Sequence, residues 1–169
     1  MPYISALLLI TAFLLPSAVI GDRPLAERNS WIEQRTWPAF ATARQIAVAD
    51  KDEALTKLLK KRYNAALDDL RDRYSFWLQG ADTMENLVNA TRRVATARLE
   101  LETSPAERLQ ILKERFEFFN QVVSRAGMIW EKEQRTQGTL DLKLAKHALL
   151  DAEIELLRAE QENKRPATK

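Results

Sequence analysis

Acidic side chains stand close together at Asp68-Asp69 and at Glu153 and Glu155, and paired carboxylates are what general acid–base chemistry needs. Both segments read as helix, where residues one or two positions apart point to different sides, so neither pair converges on a substrate. They read as solvated faces. His147 is the one histidine in 169 residues. A di-metal site in a four-helix bundle takes Glu-x-x-His from facing helices. Leu144 stands three positions before His147, so the motif is missing and His147 reads as a flank residue. Cysteine is absent, which removes disulfides, thiolate metal sites, cysteine nucleophiles and a lipid-bearing N-terminal cysteine. The basic clusters Lys60-Lys61-Arg62 and Arg92-Arg93 have Asp and Glu on the same helices as nearer partners than any phosphate. No catalytic, cofactor or metal residue is assigned, and the chain reads as a non-enzyme.

The elements that would position such groups are helices. Charged residues make up 30% and hydrophobic residues 46%, with four glycines and six prolines, the bias of long helices. Lys and Arg outnumber Asp and Glu only 26 to 24, which argues against a nucleic-acid surface. Within residues 138–161, Leu142, Ala145, Leu149, Ala152, Leu156 and Ala159 alternate steps of three and four, a heptad seam of large and small residues. Leu87, Ala90, Val94, Ala97 and Leu101 repeat it fifty-five positions earlier. A second pair of seams matches at an offset of fifty-three: Leu59 on Leu112, Tyr63 on Phe116, Leu70 on Val123 and Trp77 on Trp130.

Capping signals divide these seams into four helices. Asp50 to Glu53 predicts a capping box opening the first, and residues 79–82 stop it, with Gly80 in the left-handed conformation. Asp82 to Glu85 predicts a second box, and Ser104-Pro105-Ala106-Glu107 a third. The last turn is expected near Glu133 to Thr139, about two residues longer than the first, with Gly138 turning and Thr139 capping. Arg73 and Thr91 are polar entries at seam-facing positions. The expected fold is all-α: two repeated antiparallel helical hairpins forming a coiled-coil-like four-helix bundle over residues 51–163, with 164–169 as a loose tail. Phe76, Trp77, Leu78 and Trp130 gather at the turn end, either as a partner-docking tip or as the cap of the bundle.

Ahead of the bundle, residues 1–21 carry no charged side chain, and Tyr3 to Leu15 is almost wholly apolar. Pro16 and the small residue Gly21 point to a secretory signal peptide cut after Gly21; a retained membrane anchor is the alternative. Either places the remainder in the periplasm or outer envelope. Residues 22–50 read as a spacer with short helices around Ser30 to Thr36 and Ala39 to Ala49, with Trp31 and Trp37 folded back over the bundle's open end.

The run Asp141-Leu-Lys-Leu-Ala145, continued by Leu149, Ala152 and Leu156, resembles the arm leaving the hairpin tip in the TolC-like outer-membrane efflux proteins, which also contain two repeats. Gly80 with Leu87, Ala90, Val94, Ala97 and Leu101 supplies the first copy. Departures are Asn86 where the family has Asp, Arg135 where it has the tip Gly, and Phe76-Trp77 in place of Arg-Tyr. Thr103-Ser104-Pro105 joins the repeats with no room for a strand pair, so the resemblance implies a helix-only relative without a barrel. It implies an exported scaffold or interaction module associated with efflux, partnered by itself or by another helical-hairpin envelope protein, with membrane contact through residues 1–21. The alternative is a small-ligand carrier or small enzyme with a pocket between the helices.

Overall fold

The computed structural model describes residues 37–133 and 136–164. The expected signal peptide, the helix at Ser30 to Thr36, Trp31 and the end of the tail lie outside the described residues, as does the side chain of Trp130. Among the described residues there are four helices and no strand: α1 (Ala54–Leu78), α2 (Met84–Leu101), α3 (Pro105–Glu133) and α4 (Thr136–Lys164). α1 packs on α2, α3 on α4, and α2 also touches both helices of the second pair. The ion pairs from α1 to α2 and to the turn before it run Arg62–Glu100, Asp69–Arg93 and Arg73–Asp82, one partner number rising as the other falls, so the hairpin is antiparallel. Arg115 lies 18 residues before the end of α3 and Glu155 19 after the start of α4, so their pairing places these helices in the same relation.

The first turn forms as its glycine requires. Gly80 takes φ +73°, the Ala81 N–H donates to the Phe76 carbonyl at 2.9 Å and the Gly80 N–H to Trp77 at 3.0 Å. These two bonds close a Schellman cap. The cap of α2 falls one residue later than expected, on Thr83, whose Oγ1 accepts from the Asn86 N–H. Asp82 accepts instead from Thr83 N–H and the Asn86 amide, and pairs with Arg73. Ser104 and Pro105 open α3 as the sequence indicates, with Ser104 Oγ accepting from the Glu107 N–H at 3.5 Å.

Three expectations are corrected. Gly138 and Thr139 lie inside α4, not in a turn: only residues 134–135 separate α3 from α4, against five between α1 and α2. The extra residues of the second repeat lengthen its helices, α4 having 29 residues to the 18 of α2. The capping box at Asp50 to Glu53 is not made; Glu53 stands at the N-cap with no side-chain bond. Asp52 instead accepts from the Ala49 N–H and from Lys60, folding the preceding segment back onto α1. That segment is not the expected helix. After one turn at Pro38 to Thr42 it runs non-helical and antiparallel along α1 as a strap. Its main chain there meets Asn64 and Arg71, and Phe40 is fully buried. Burial of Phe40 and these hydrogen bonds override the helical preference of its alanines.

The core follows the strap. Trp37 stacks edge-on to Tyr74 (5.1 Å), Phe40 meets Phe118 (5.9 Å), and Phe118 touches Tyr74 (5.6 Å) and Phe119 (5.4 Å). Trp37 thus folds onto the bundle as expected, but beside Tyr74 near the α1–α2 turn and not over the open end. Along α3 the buried band is broader than the heptad: Ile111, Arg115, Phe118 and Val122 are buried, while Phe116 and Val123 of the seam are half-buried. An offset of fifty-two, not fifty-three, brings Ala66 onto Phe118 and Leu70 onto Val122, and these pairs share burial.

Candidate functional site

Each carboxylate singled out in the sequence is engaged by a neighbour, apart from Glu153. Asp68 accepts from Gln45 (2.8 Å) and Arg71; Asp69 pairs with Arg73 and Arg93; Glu155 pairs with Arg115. Glu153 is exposed. His147 is 75% exposed and faces Asp151 at 3.4 Å, one turn along α4. No group of His, Asp and Glu among the described residues could hold a metal ion. The two polar seam positions serve the fold: Thr91 is fully buried and donates to the Leu87 carbonyl at 2.8 Å, and Arg73 bridges Asp69 and Asp82.

The expected tip residues part company. Trp77 is 4% exposed and lies against Tyr74, so it caps the core, whereas Phe76 is 48% exposed and Leu78 half-buried. Trp130 belongs to α3, near the end that α3 shares with the α1–α2 turn. Met128 and Leu140 are exposed apolar residues at that same end.

A surface the heptad reading missed lies on α4. Leu150, Ile154 and Leu157 are 57%, 46% and 48% exposed and are spaced four and three apart, so they form one outward row. The buried row is Ala145, Ala148 and Ala152. The doublets Leu149-Leu150 and Leu156-Leu157 carried the signal, because adjacent residues on a helix cannot share one seam. The row is set among Lys146, Asp151, Glu153, Arg158 and Gln161, a mixed-charge border of the kind that flanks a helix–helix seam.

At the opposite end an open groove of about 410 Å³ lies between the α2–α3 corner and the last turns of α4. Leu99, Leu109, Leu112 and Ala159 line it, with Arg108 and Arg158 among its charged residues. Arg108 is engaged by the Leu99 and Glu102 carbonyls. At the same corner, the Glu107 carboxyl hydrogen-bonded to Glu102, with partial burial, raises the Glu102 pKa above the usual glutamate value. Burial likewise raises the Tyr63 hydroxyl. No described helix is long and apolar enough to cross a membrane. The chain matches no protein-family model, no curated protein and no solved structure.

Proposed function

We propose that this chain is a non-enzymatic helical scaffold or interaction module of the cell envelope, exported, TolC-like in its paired hairpins, and serving an efflux or transport assembly. The observation that carries the reading is the outward row Leu150, Ile154 and Leu157 on α4, an apolar stripe beside a seam already filled by alanines. A helix that presents apolar residues on two faces is suited to a second helix on the outer one. Engagement of the conspicuous carboxylates by arginines supports a structural over a catalytic use. The partner is a helical hairpin, from another envelope protein or from a second copy.

A photo-crosslinking residue placed at Ile154 in the exported protein tests this. One adduct of discrete mass is expected, lost on Leu157→Glu and absent when the probe sits at Lys113 on α3. Adducts of equal yield from both sites would sink the reading. A carrier function has the basal groove as its seat; a small-molecule thermal shift lost on Leu109→Ala would favour it instead.

A further inference from the structure

The polar contacts that hold the strap are made chiefly to its main chain. The Asn64 side chain accepts from the Ile46 N–H and donates to the Ile46 carbonyl, both at 2.9 Å. Arg71 donates to the carbonyls of Ala41 (3.1 Å) and Ala43 (2.9 Å), and the Tyr63 hydroxyl to that of Arg44 (3.3 Å). Gln45 with Asp68 is the side-chain exception. Two strap aromatics complete the seat, the fully buried Phe40 against Phe118 and Trp37 against Tyr74. Main-chain hydrogen bonds with a pocket for one side chain are how a groove holds a peptide segment, whichever chain supplies it.

The strap is tied to α1 by a short reversal at Ala49 to Glu53. Asp52 closes it, its N–H bonded to the Ala49 carbonyl and its carboxylate to the Ala49 N–H. The reversal is held by these bonds, by Lys60 on Asp52 and by Lys57 on the Asp50 carbonyl, and not by turn residues: no glycine or proline occurs between Ala39 and Gln79, and Glu53 caps α1 without a side-chain bond. Residues 47–54, Ala-Val-Ala-Asp-Lys-Asp-Glu-Ala, suit a helix that continues α1, which carries the strap away from its own seat. We propose that the α1 seat accepts residues 37–49 of a second copy, giving an exchanged dimer with straightened hinges. The contacts of Phe40 to Ile46 with the seat are all kept in such a dimer and only the Ala49–Asp52 bonds of the turn are given up, so its formation needs no new complementary surface. The proposal is independent of the α4 row.

Native mass spectrometry of the full chain lacking only Lys51 and Asp52 tests it. A hinge too short to reverse is expected to tighten dimerisation by about tenfold or more over wild type. Isotopically distinct populations should then yield mixed dimers. Asn64→Ala in this background should dissolve the dimer while circular dichroism stays helical. Ile154→Glu should leave it intact, which separates exchange from association through α4. A folded monomeric hinge variant, or a dimer indifferent to Asn64→Ala, overturns the proposal. Should the shortened chain fail to fold, Asp52→Ala decides: it opens the turn at full length, and no rise in dimer over wild type overturns the proposal equally.

Discussion

The two hairpins carry one sequence pattern and bury it to different depths. In the first, Leu87, Ala90, Val94 and Ala97 of α2 are all buried, as are Tyr63, Leu67, Leu70, Tyr74 and Trp77 of α1. In the second, Ala145 and Ala152 are buried but Leu142 and Leu149, the equivalents of Leu87 and Val94, are only half so. The repeat sets which way each helix faces. How deeply that face is buried depends on what lies over it. α2 packs on α1 and also touches both α3 and α4, while the strap adds a layer over α1, seated on Asn64 and Arg71, with Phe40 against Phe118 of α3. The second hairpin keeps its apolar outer row on the surface.

The largest test sets a residue lying under the strap against one on the bare outer row, both within the second hairpin. Phe118 lies where the strap, α1 and α3 meet, and Phe118→Ala is expected to lose about 3–5 kcal/mol. Leu150→Ala, on the outer row, is expected to stay within about 0.5 kcal/mol of wild type. Urea unfolding followed by circular dichroism reads both. Equal losses would mean that α4 hides its outer row in solution.

The next effect concerns the ion pair that crosses the second hairpin. The Arg115 side chain is 4% exposed and lies over the Phe119 ring at 5.9 Å, while that of its partner Glu155 is 44% exposed. Glu155→Ala leaves a buried cation without its counter-charge; discounted for the exposed carboxylate, the expected loss is about 1–3 kcal/mol. Arg115→Met keeps the volume and removes the charge, and is expected to lie within about 1 kcal/mol of wild type. The order of the two variants is the test, since a purely packing role for Arg115 reverses it.

Much of the fold was legible because capping chemistry and period are local. Ser104-Pro105, Gly80 and the α2 and α4 seams are read from neighbours within a turn or two, and the structure keeps them. The strap was not legible. Its alanines signal helix, and contacts eighteen or more residues away, such as Asn64 to Ile46, together with the Asp52 turn hold it otherwise. Gly138 misled for the opposite reason: a glycine marks a turn only where a positive φ is needed, and Gly138 stands inside α4. The α4 row was hidden by the seam beside it, since one heptad fitted first leaves its neighbours looking like surface.

Two glycines sharpen the contrast between turn and helix with effects of opposite sign. Gly80, at φ +73°, has open space where a Cβ would stand, so Gly80→Ala suffers only from the left-handed backbone, about 1–2 kcal/mol. Gly127 lies within α3 with nothing within 4 Å of an added Cβ, and Gly127→Ala is expected to gain about 0.5–1 kcal/mol. Thermal midpoints moving in the same direction would contradict the cap.

The smallest effect separates the tip of the first hairpin from the corner that joins the two, through acid. At the tip, burial works to raise Asp82, but the Asn86 amide, the Thr83 N–H and Arg73 outweigh it and hold the carboxyl below the ordinary aspartate value. Its stabilisation is therefore complete above the unfolded pKa and disappears as pH falls through the folded one. At the corner, the carboxyl of Glu107 raises Glu102, so protonated Glu102 is the better-held form. That contribution is complete below the unfolded glutamate pKa and disappears as pH rises through the raised value. Between about pH 3 and pH 7, the advantage of wild type over Asp82→Asn should shrink toward acid. Glu102→Gln, whose amide can donate to Glu107 as the protonated acid does, should be more stable than wild type at neutral pH and equal to it in acid. Urea midpoints read both differences, and parallel pH curves for the two variants would show that tip and corner titrate alike.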